Sequence, residues 1–138
     1  MADKYGKFIR KDSVLVGATG TRIFGTRHQK WAGGDIMSVE CIYVPESKLM
    51  ISQAHQHEFP QILCFAGSNP YDPDDFDAEI EISLGAEGEK HIINTPSVVF
   101  VEPRLHHGPL NFKTINKPVL FVDIALTGEY KRIGDTPD

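Results

Sequence analysis

Between Ile36 and Leu126 the sequence is a succession of short apolar or alternating runs, separated by turns rich in glycine and proline. Alternation of apolar and polar residues with a period of two is the pattern of a half-buried β-strand, and no stretch keeps the longer period of a helix. Strands that recur at short, fairly even spacing are typical of an all-β sandwich or jelly roll. The chain is therefore predicted to be all-β.

The individual runs give the expected strands. Glu79–Leu84 and Lys90–Ile93 are joined by a turn that contains Gly85 and Gly88, which predicts a hairpin. The remaining expected strands show alternation or a short apolar run: Met37–Tyr43, Lys48–Ser52, Ile62–Phe65, Val98–Val101 and Val119–Leu126.

A length of 138 residues fits one domain with a sizeable core. We divide it into an N-terminal arm with one or two edge strands at 1–35, a barrel at 36–128 and a polar tail at 129–138, which we expect to fray. Edge strands need cover. We therefore expect a homodimer that pairs through edge strands, with the arm around Trp31 packing on the neighbour.

Composition excludes several classes of protein. The net charge is -5 and no basic face is visible, so no nucleic-acid partner is expected. No apolar run of membrane-spanning length and no leader pattern at the N-terminus is found in the sequence. Cys41 and Cys64 are interpreted as small buried residues. We expect a cytoplasmic setting. His28 and His91 are interpreted as ordinary surface or core histidines.

Two histidines form the strongest chemical signal. His55 and His57, at i and i+2, share one face of a strand, and neutral imidazoles side by side are the usual start of a metal site. Gln61 keeps the same parity if the strand continues. With His107 arriving from another strand, three nitrogens would leave coordination positions open. Such a site suits iron(II), manganese, nickel, copper or zinc.

The order of these residues resembles the cupin superfamily. The first motif is His55–Gln61, which closes with Gly67, and the second is Pro103–His107, followed by Asn111. The resemblance covers roughly residues 36–126, that is, the strands of the predicted barrel. It implies a cupin-type double-stranded β-helix, or jelly-roll barrel.

The resemblance also implies a set of metal ligands: His55, His57, Gln61 and His107. Gln61 stands where a glutamate is usual, so a neutral amide replaces a carboxylate at that position. Either His106 or His107 is the histidine of the second motif. We favour His107, since the residues from Gly108 onward then fall into the family's spacing.

Four further side chains are candidates for substrate or proton chemistry. Glu81 either points into the barrel mouth as a general base or lies on a solvated strand face. Arg104 and His106, in the turn beside the proposed ligand, either bind a substrate carboxylate or shuttle a proton, or they are simply exposed. Tyr43 is predicted to line the barrel and contact substrate.

The resemblance implies a metal-dependent enzyme acting on a small oxygenated metabolite, a keto, enol or carboxylate compound. Its reaction would be that of an oxygenase, or that of a lyase, isomerase or decarboxylase that uses the metal as a Lewis acid. Two alternatives are a non-catalytic sensor of small molecules and a metal-free, epimerase-like cupin. The closely spaced histidine pair favours ligands over separate metal-free catalysts.

Overall fold

The computed structural model describes residues 4–17, 20–26 and 31–134; His28 lies outside them. These residues form a short 3-10 helix, Gly6–Phe8, and strands β1 Val14–Val16, β2 Arg22–Gly25, β3 Ser38–Val44, β4 Lys48–Ile51, β5 Gln61–Ala66, β6 Ala78–Leu84, β7 Glu89–Ile93, β8 Ser97–Val101, β9 His107–Ile115 and β10 Val119–Ala125. In this part of the chain no helix is long and apolar enough to cross a membrane.

The strands form two antiparallel sheets in the described residues. The order in the six-stranded sheet is β1-β2-β3-β10-β5-β8, and in the four-stranded sheet it is β4-β9-β6-β7. Strands β6 and β7 form the hairpin that the alternation predicts. The all-β prediction is confirmed.

The core lies between the two sheets. Its centre is an aromatic cluster in which the ring centroids of Phe112 and Phe65 are 6.0 Å apart and those of Phe112 and Phe121 are 5.7 Å apart. Ile80 and Val101 are fully buried beside it. Because the cluster draws on both sheets, it fixes the spacing between them and supports the cavity above it.

Strand β3 turns Tyr43 away from the barrel. Ser38 and Val44 are buried, and Glu40 and Ile42 line the interior cavity, so the even-numbered residues of β3 take the inward positions. Tyr43 has the opposite parity and is 65% exposed. The structure therefore does not bring Tyr43 to the barrel interior, where the sequence analysis expected it.

The N-terminal arm contributes two strands to the chain's own sheet. β1 pairs with β2, and β2 pairs with β3 through Phe24 and Cys41. A Cβ atom on Gly25 would overlap the carbonyl oxygen of Val39, so this crossing requires glycine. In the described residues the arm thus covers the edge of β3 without help from a neighbour.

Gly67 follows β5 where the chain passes close to Asp75. A Cβ atom on Gly67 would overlap the carbonyl oxygen of Asp75, a backbone atom that has no rotamer to move to. We expect Gly67→Ala to lower the free energy of unfolding by about 1–3 kcal/mol, the usual cost of overpacking, as measured by urea denaturation. Ser68→Ala, at the exposed neighbouring position, is the control and should change it by less than about 0.5 kcal/mol. Equal stability of the two variants would contradict the prediction.

Candidate metal centre

Three histidines meet at one end of the barrel. His55 and His57 lie on the segment between β4 and β5, outside a regular strand, and His107 begins β9. His55 and His107 form an isolated antiparallel bridge, with N–H to carbonyl distances of 3.0 and 2.9 Å in the two directions. One ring nitrogen from each of the three histidines lies within 4.8 Å of the others.

Backbone carbonyls fix the tautomers of two of these rings. Nδ1 of His57 lies 2.8 Å from the carbonyl oxygen of Phe59, and Nδ1 of His107 lies 2.8 Å from that of Leu105. A ring nitrogen that faces a carbonyl carries the hydrogen and donates it. The Nε2 atom of each ring is therefore left with a free lone pair, the form in which imidazole binds a metal.

The polar groups around these lone pairs fit a cation. Nε2 of His107 is buried and has no hydrogen-bond partner among the described residues. Nε2 of His57 lies 2.9 Å from Oε1 of Gln61. The amide group of Gln61 donates to Asp123, which fixes Oε1 on the side of His57. Two acceptors then face one another, an arrangement that a shared cation relieves and a hydrogen bond does not. The donor set fits a metal ion.

Burial keeps His55 and His107 neutral. It lowers the pKa of His55 to about 4, with a further contribution from the nearby Arg132, and it lowers the pKa of His107 to about 4, with a contribution from the neighbouring histidine rings. Both rings are therefore unprotonated at neutral pH. No proton has to be displaced from either before a metal binds.

A cavity of about 320 Å³ opens beside the histidines. Much of its wall is apolar, with Leu63, Ile82 and Phe121 among the lining residues. Two carboxylates also line it: Glu40 on β3 and Asp123 on β10, which are direct cross-strand partners. Burial, and secondarily the charge of Glu40, raises the pKa of Asp123 to about 6. The cavity thus combines apolar walls with one carboxyl group that titrates close to neutral pH.

The segment 129–134 packs on the site. The hydroxyl group of Tyr130 lies 3.1 Å from Nε2 of His55. The backbones of Arg132 and His57 form an isolated antiparallel β-bridge. The N–H of Ile133 donates to the carbonyl of Gln56 over 2.8 Å. The expectation that the chain frays after residue 128 does not hold for residues 129–134, because this segment is held by the histidine segment.

The other candidates from the sequence lie outside this group. Glu81 sits on the face of β6 opposite to the buried Ile80 and Ile82, with its carboxylate 3.4 Å from the ammonium group of Lys90. His106 lies in the turn before β9 and does not line the cavity.

Arg104 pairs with the exposed Glu58 at 2.6 Å, an ion pair on the surface beside the histidine segment. His91 lies 2.6 Å from Glu89, also on the surface. The structure therefore brings together only the four proposed metal ligands from the sequence analysis.

Sequence reasoning missed Glu40, Asp123 and Tyr130. Asp123 carried a usable signal: an acidic residue in the middle of an otherwise apolar strand is rare unless it has a partner or a function. Glu40 carried the same signal less clearly, because its strand alternates. Tyr130 carried none, since its contact with His55 spans 75 positions of sequence.

Three solved structures resemble this fold. HppE in its iron(II) form has a TM-score of 0.54 at 11% identity, covering 81% of this chain and 54% of its own. KdgF from Halomonas sp. has a TM-score of 0.52 at 15% identity, covering 86% and 91%. AerE from Microcystis aeruginosa has a TM-score of 0.54 at 11% identity, covering 83% and 44%. This chain spans about half the length of the HppE chain.

These neighbours are cupin-fold proteins, and the described chain has the cupin jelly-roll fold, as the sequence motifs predict. HppE has been crystallised with cobalt(II) as well as with iron(II). No family model matches the sequence, and no curated protein matches it.

Proposed function

We propose that this cupin-fold chain holds a divalent transition metal and is an enzyme acting on a small keto, enol or carboxylate metabolite. His55, His57 and His107 would hold the metal, with Gln61 as a fourth donor. Iron, manganese, nickel, copper and zinc all accept such a set. The proposal depends on one observation: buried lone pairs converge, with His107 Nε2 unpartnered among the described residues and His57 Nε2 facing Gln61 Oε1 at 2.9 Å.

The cavity supports a small substrate. Its volume of about 320 Å³ lies near the lower end of the usual range for ligand pockets. The apolar wall formed by Ile42, Leu63 and Phe121 would exclude water from the reacting group, and the polar groups at the histidine end would orient it. A metabolite of a few carbons with one oxygenated end fits this division of the cavity.

The metal, when bound, would supply Lewis acidity or, for a redox-active ion, oxygen activation. The chain's own residues would handle the proton. Asp123, with its pKa of about 6, can give up or accept a proton at Oδ1 or Oδ2 close to neutral pH. Burial raises that pKa, and the charge of Glu40, the cross-strand partner of Asp123, adds to the rise. The hydroxyl group of Tyr130 is a second proton carrier, already in contact with His55.

Metal analysis of the purified protein is the first test. Purification without chelator, followed by reconstitution with each of the five candidate metals, should give close to one equivalent per chain for at least one of them. Substoichiometric binding of all five would overturn the proposal. With iron bound, oxygen uptake in the presence of catechols, thiols or keto acids identifies an oxygenase. Turnover without uptake identifies Lewis-acid chemistry, and binding without turnover identifies a sensor.

Gln61→Ala tests the fourth donor. We expect a loss of about 10–100-fold in metal affinity, because the variant removes Oε1 beside His57 and also the amide group that Asp123 holds. Competition with a colorimetric chelator measures this affinity. Gln53→Ala, an exposed glutamine just before the histidine segment, is the control and should bind metal as the wild type does. Unchanged affinity in Gln61→Ala would remove Gln61 from the ligand set.

The setting proposed with this function is the cytoplasm, which the free thiols of Cys41 and Cys64 support. The proposed assembly is a homodimer.

A further inference from the structure

Two carboxylates stand on the wall of the cavity beside the candidate metal centre. Glu40 on β3 and Asp123 on β10 both line it, and they are register partners, so their side chains project from the same face of the sheet. The Cβ atoms of such partners lie about 4.5–5.5 Å apart. The charge of Glu40 acts on Asp123, where it adds to the effect of burial in raising the pKa of the carboxyl group. One wall of the cavity therefore carries two acidic groups side by side.

No cationic side chain of the described residues balances this pair inside the cavity. Neither a lysine nor an arginine is among the described residues that line it. The register partner of Glu40 on its other side is Gly25, which has no side chain to offer a charge. The ion pairs formed within the described part of the chain use neither of the two carboxylates. The charge of Arg132 acts on His55 and His107, but Arg132 lines clefts outside the cavity.

This arrangement is unfavourable for the folded chain alone. Like charges directly opposite each other on neighbouring strands are destabilising. Asp123 regains part of its lost hydration from the amide group of Gln61, which donates to it. Glu40 is half-buried, and its carboxylate has no hydrogen-bond partner among the described residues. A carboxylate removed from water without a partner is costly, so a cation from outside the chain would stabilise this wall.

We propose that the substrate carries an ammonium group at the end that lies against Glu40, and that Glu40 selects for this group. The inference rests on the proposed function, since the metal would hold the oxygenated end of the same molecule. An ammonium N–H donates to a carboxylate oxygen in a short, charge-assisted hydrogen bond, which is strongest where water is excluded. The substrate class is then a small amine with a keto, enol or carboxylate group at its far end. A molecule with a carboxylate at both ends is disfavoured, because one of them would face Glu40.

A second metal ion fits this position less well than an ammonium group does. Metal ions in proteins take four or more ligands. The three histidines are the only group of three or more metal-binding side chains that the described residues bring together, and Glu40 and Asp123 add up to two. An ammonium group needs only acceptors. Ile23 and Ile42, which line the same cavity, offer apolar surface for the methylene groups that would join the two ends of the substrate.

Calorimetric titration with three matched kinds of ligand tests the ammonium end. The first is γ-aminobutyrate with its shorter and longer homologues. The second replaces the ammonium group by a methyl group, as in valerate, and the third replaces it by a carboxylate, as in glutarate. We expect the amino compounds to bind at least about 10-fold more tightly than the methyl compounds of equal length, since a hydrogen bond between charged groups supplies that difference. The dicarboxylates should bind most weakly. Each titration is made with the metal-loaded and with the metal-free protein.

Glu40→Gln identifies the residue that selects. Glutamine keeps the shape of the side chain and removes its charge, so we expect the preference for the amino compounds to fall to near equality. The metal content should not change, because Glu40 does not belong to the histidine group. Glu46→Gln is the matched control: Glu46 is an exposed glutamate after β3, and its substitution changes the net charge equally. That variant should keep the full preference.

The Tm of the ligand-free variants gives a readout that needs no substrate. Removal of one of two like charges should leave the Tm of Glu40→Gln equal to or above that of the wild type at neutral pH. A fall in Tm relative to Glu46→Gln would show that Glu40 has a cationic partner within the chain, and it would overturn the proposal.

The titrations separate this inference from the metal centre. Equal affinity of the wild type for amino and methyl compounds, or no binding of any amine, would overturn the role of Glu40 even in a protein with one equivalent of metal. A second equivalent of metal that Glu40→Gln removes would overturn it as well. A preference for amines that Glu40→Gln abolishes, in a protein that binds no metal, would support the role of Glu40 and overturn the proposed metal centre instead.

Discussion

His57→Ala is expected to abolish stoichiometric metal binding. His57 is fully buried, and its ring is held on one side by the Phe59 carbonyl and on the other by Gln61. Alanine removes one of the three ring nitrogens of the group and leaves Gln61 Oε1 without the histidine it faces. With metal at about 1,000 times the wild-type Kd, the variant should lose about 4 kcal/mol of metal-dependent stabilisation. Elemental analysis, together with the metal-induced shift in Tm, measures both effects.

Two other histidine variants make this test specific. His106→Ala removes the residue adjacent to His107, yet its ring does not belong to the histidine group, so it should retain metal. His91→Ala, on the exposed side of β7, should do the same. Loss of metal in His106→Ala with retention in His107→Ala would show that His106, and not His107, is the metal-binding histidine of the second motif. Unchanged metal content in His57→Ala would remove the proposed centre altogether.

Phe112→Ala is expected to lower the free energy of unfolding by about 3–5 kcal/mol, as is usual for truncating a buried phenylalanine. Phe112 is 0% exposed and contacts Phe65 and Phe121, so truncation leaves a void between the two sheets. Urea denaturation at one fixed protein concentration measures the change.

The matched control is Tyr71→Ala. Tyr71 is an aromatic residue that is 94% exposed, so its truncation should change the free energy of unfolding by less than about 0.5 kcal/mol. A loss below about 1 kcal/mol in Phe112→Ala would mean that the barrel repacks around the void, and that the aromatic cluster does not fix the sheet spacing.

The strands and the histidine group were predictable because their signals are local. Alternation gave the β6–β7 hairpin, and the spacing of His55 and His57 placed both rings on one side of an extended segment. The segment that carries His55 and His57 is extended but does not belong to a regular strand. Residues at i and i+2 therefore still point to the same side, although the expected strand is absent.

The inward face of β3 was not predictable from alternation. Its two faces carry Glu40 and Ile42 on one side and Cys41 and Tyr43 on the other, and the apolar content of the second is the higher. Hydrophobicity alone therefore selects the wrong face as the barrel lining, since the sheet is apolar on both sides. For the same reason Glu40 was not recognised as a residue that lines the cavity.

The role of segment 129–134 was unpredictable for a different reason. Its residues are polar and show no periodicity, and its contacts join sequence positions far apart, such as Tyr130 with His55. Local composition describes such a segment as a tail. Only the folded structure shows that segment 129–134 contacts the segment that carries His55 and His57.

Alternate residues of strand β10 face the cavity and the outside of the sheet, and this limits which insertions and substitutions the strand tolerates. Phe121 and Asp123 face the cavity, whereas Leu120 and Val122 face outward. A one-residue insertion early in β10 would exchange the two sets together, because every later side chain moves to the opposite face. The carboxylate would then lie on the face of the sheet that points away from the cavity, and a valine would take the place of the carboxylate that Gln61 contacts. In a random library screened for folded protein, single-residue insertions or deletions in β10 should therefore be absent. Substitutions that keep the polarity of each face should be recovered.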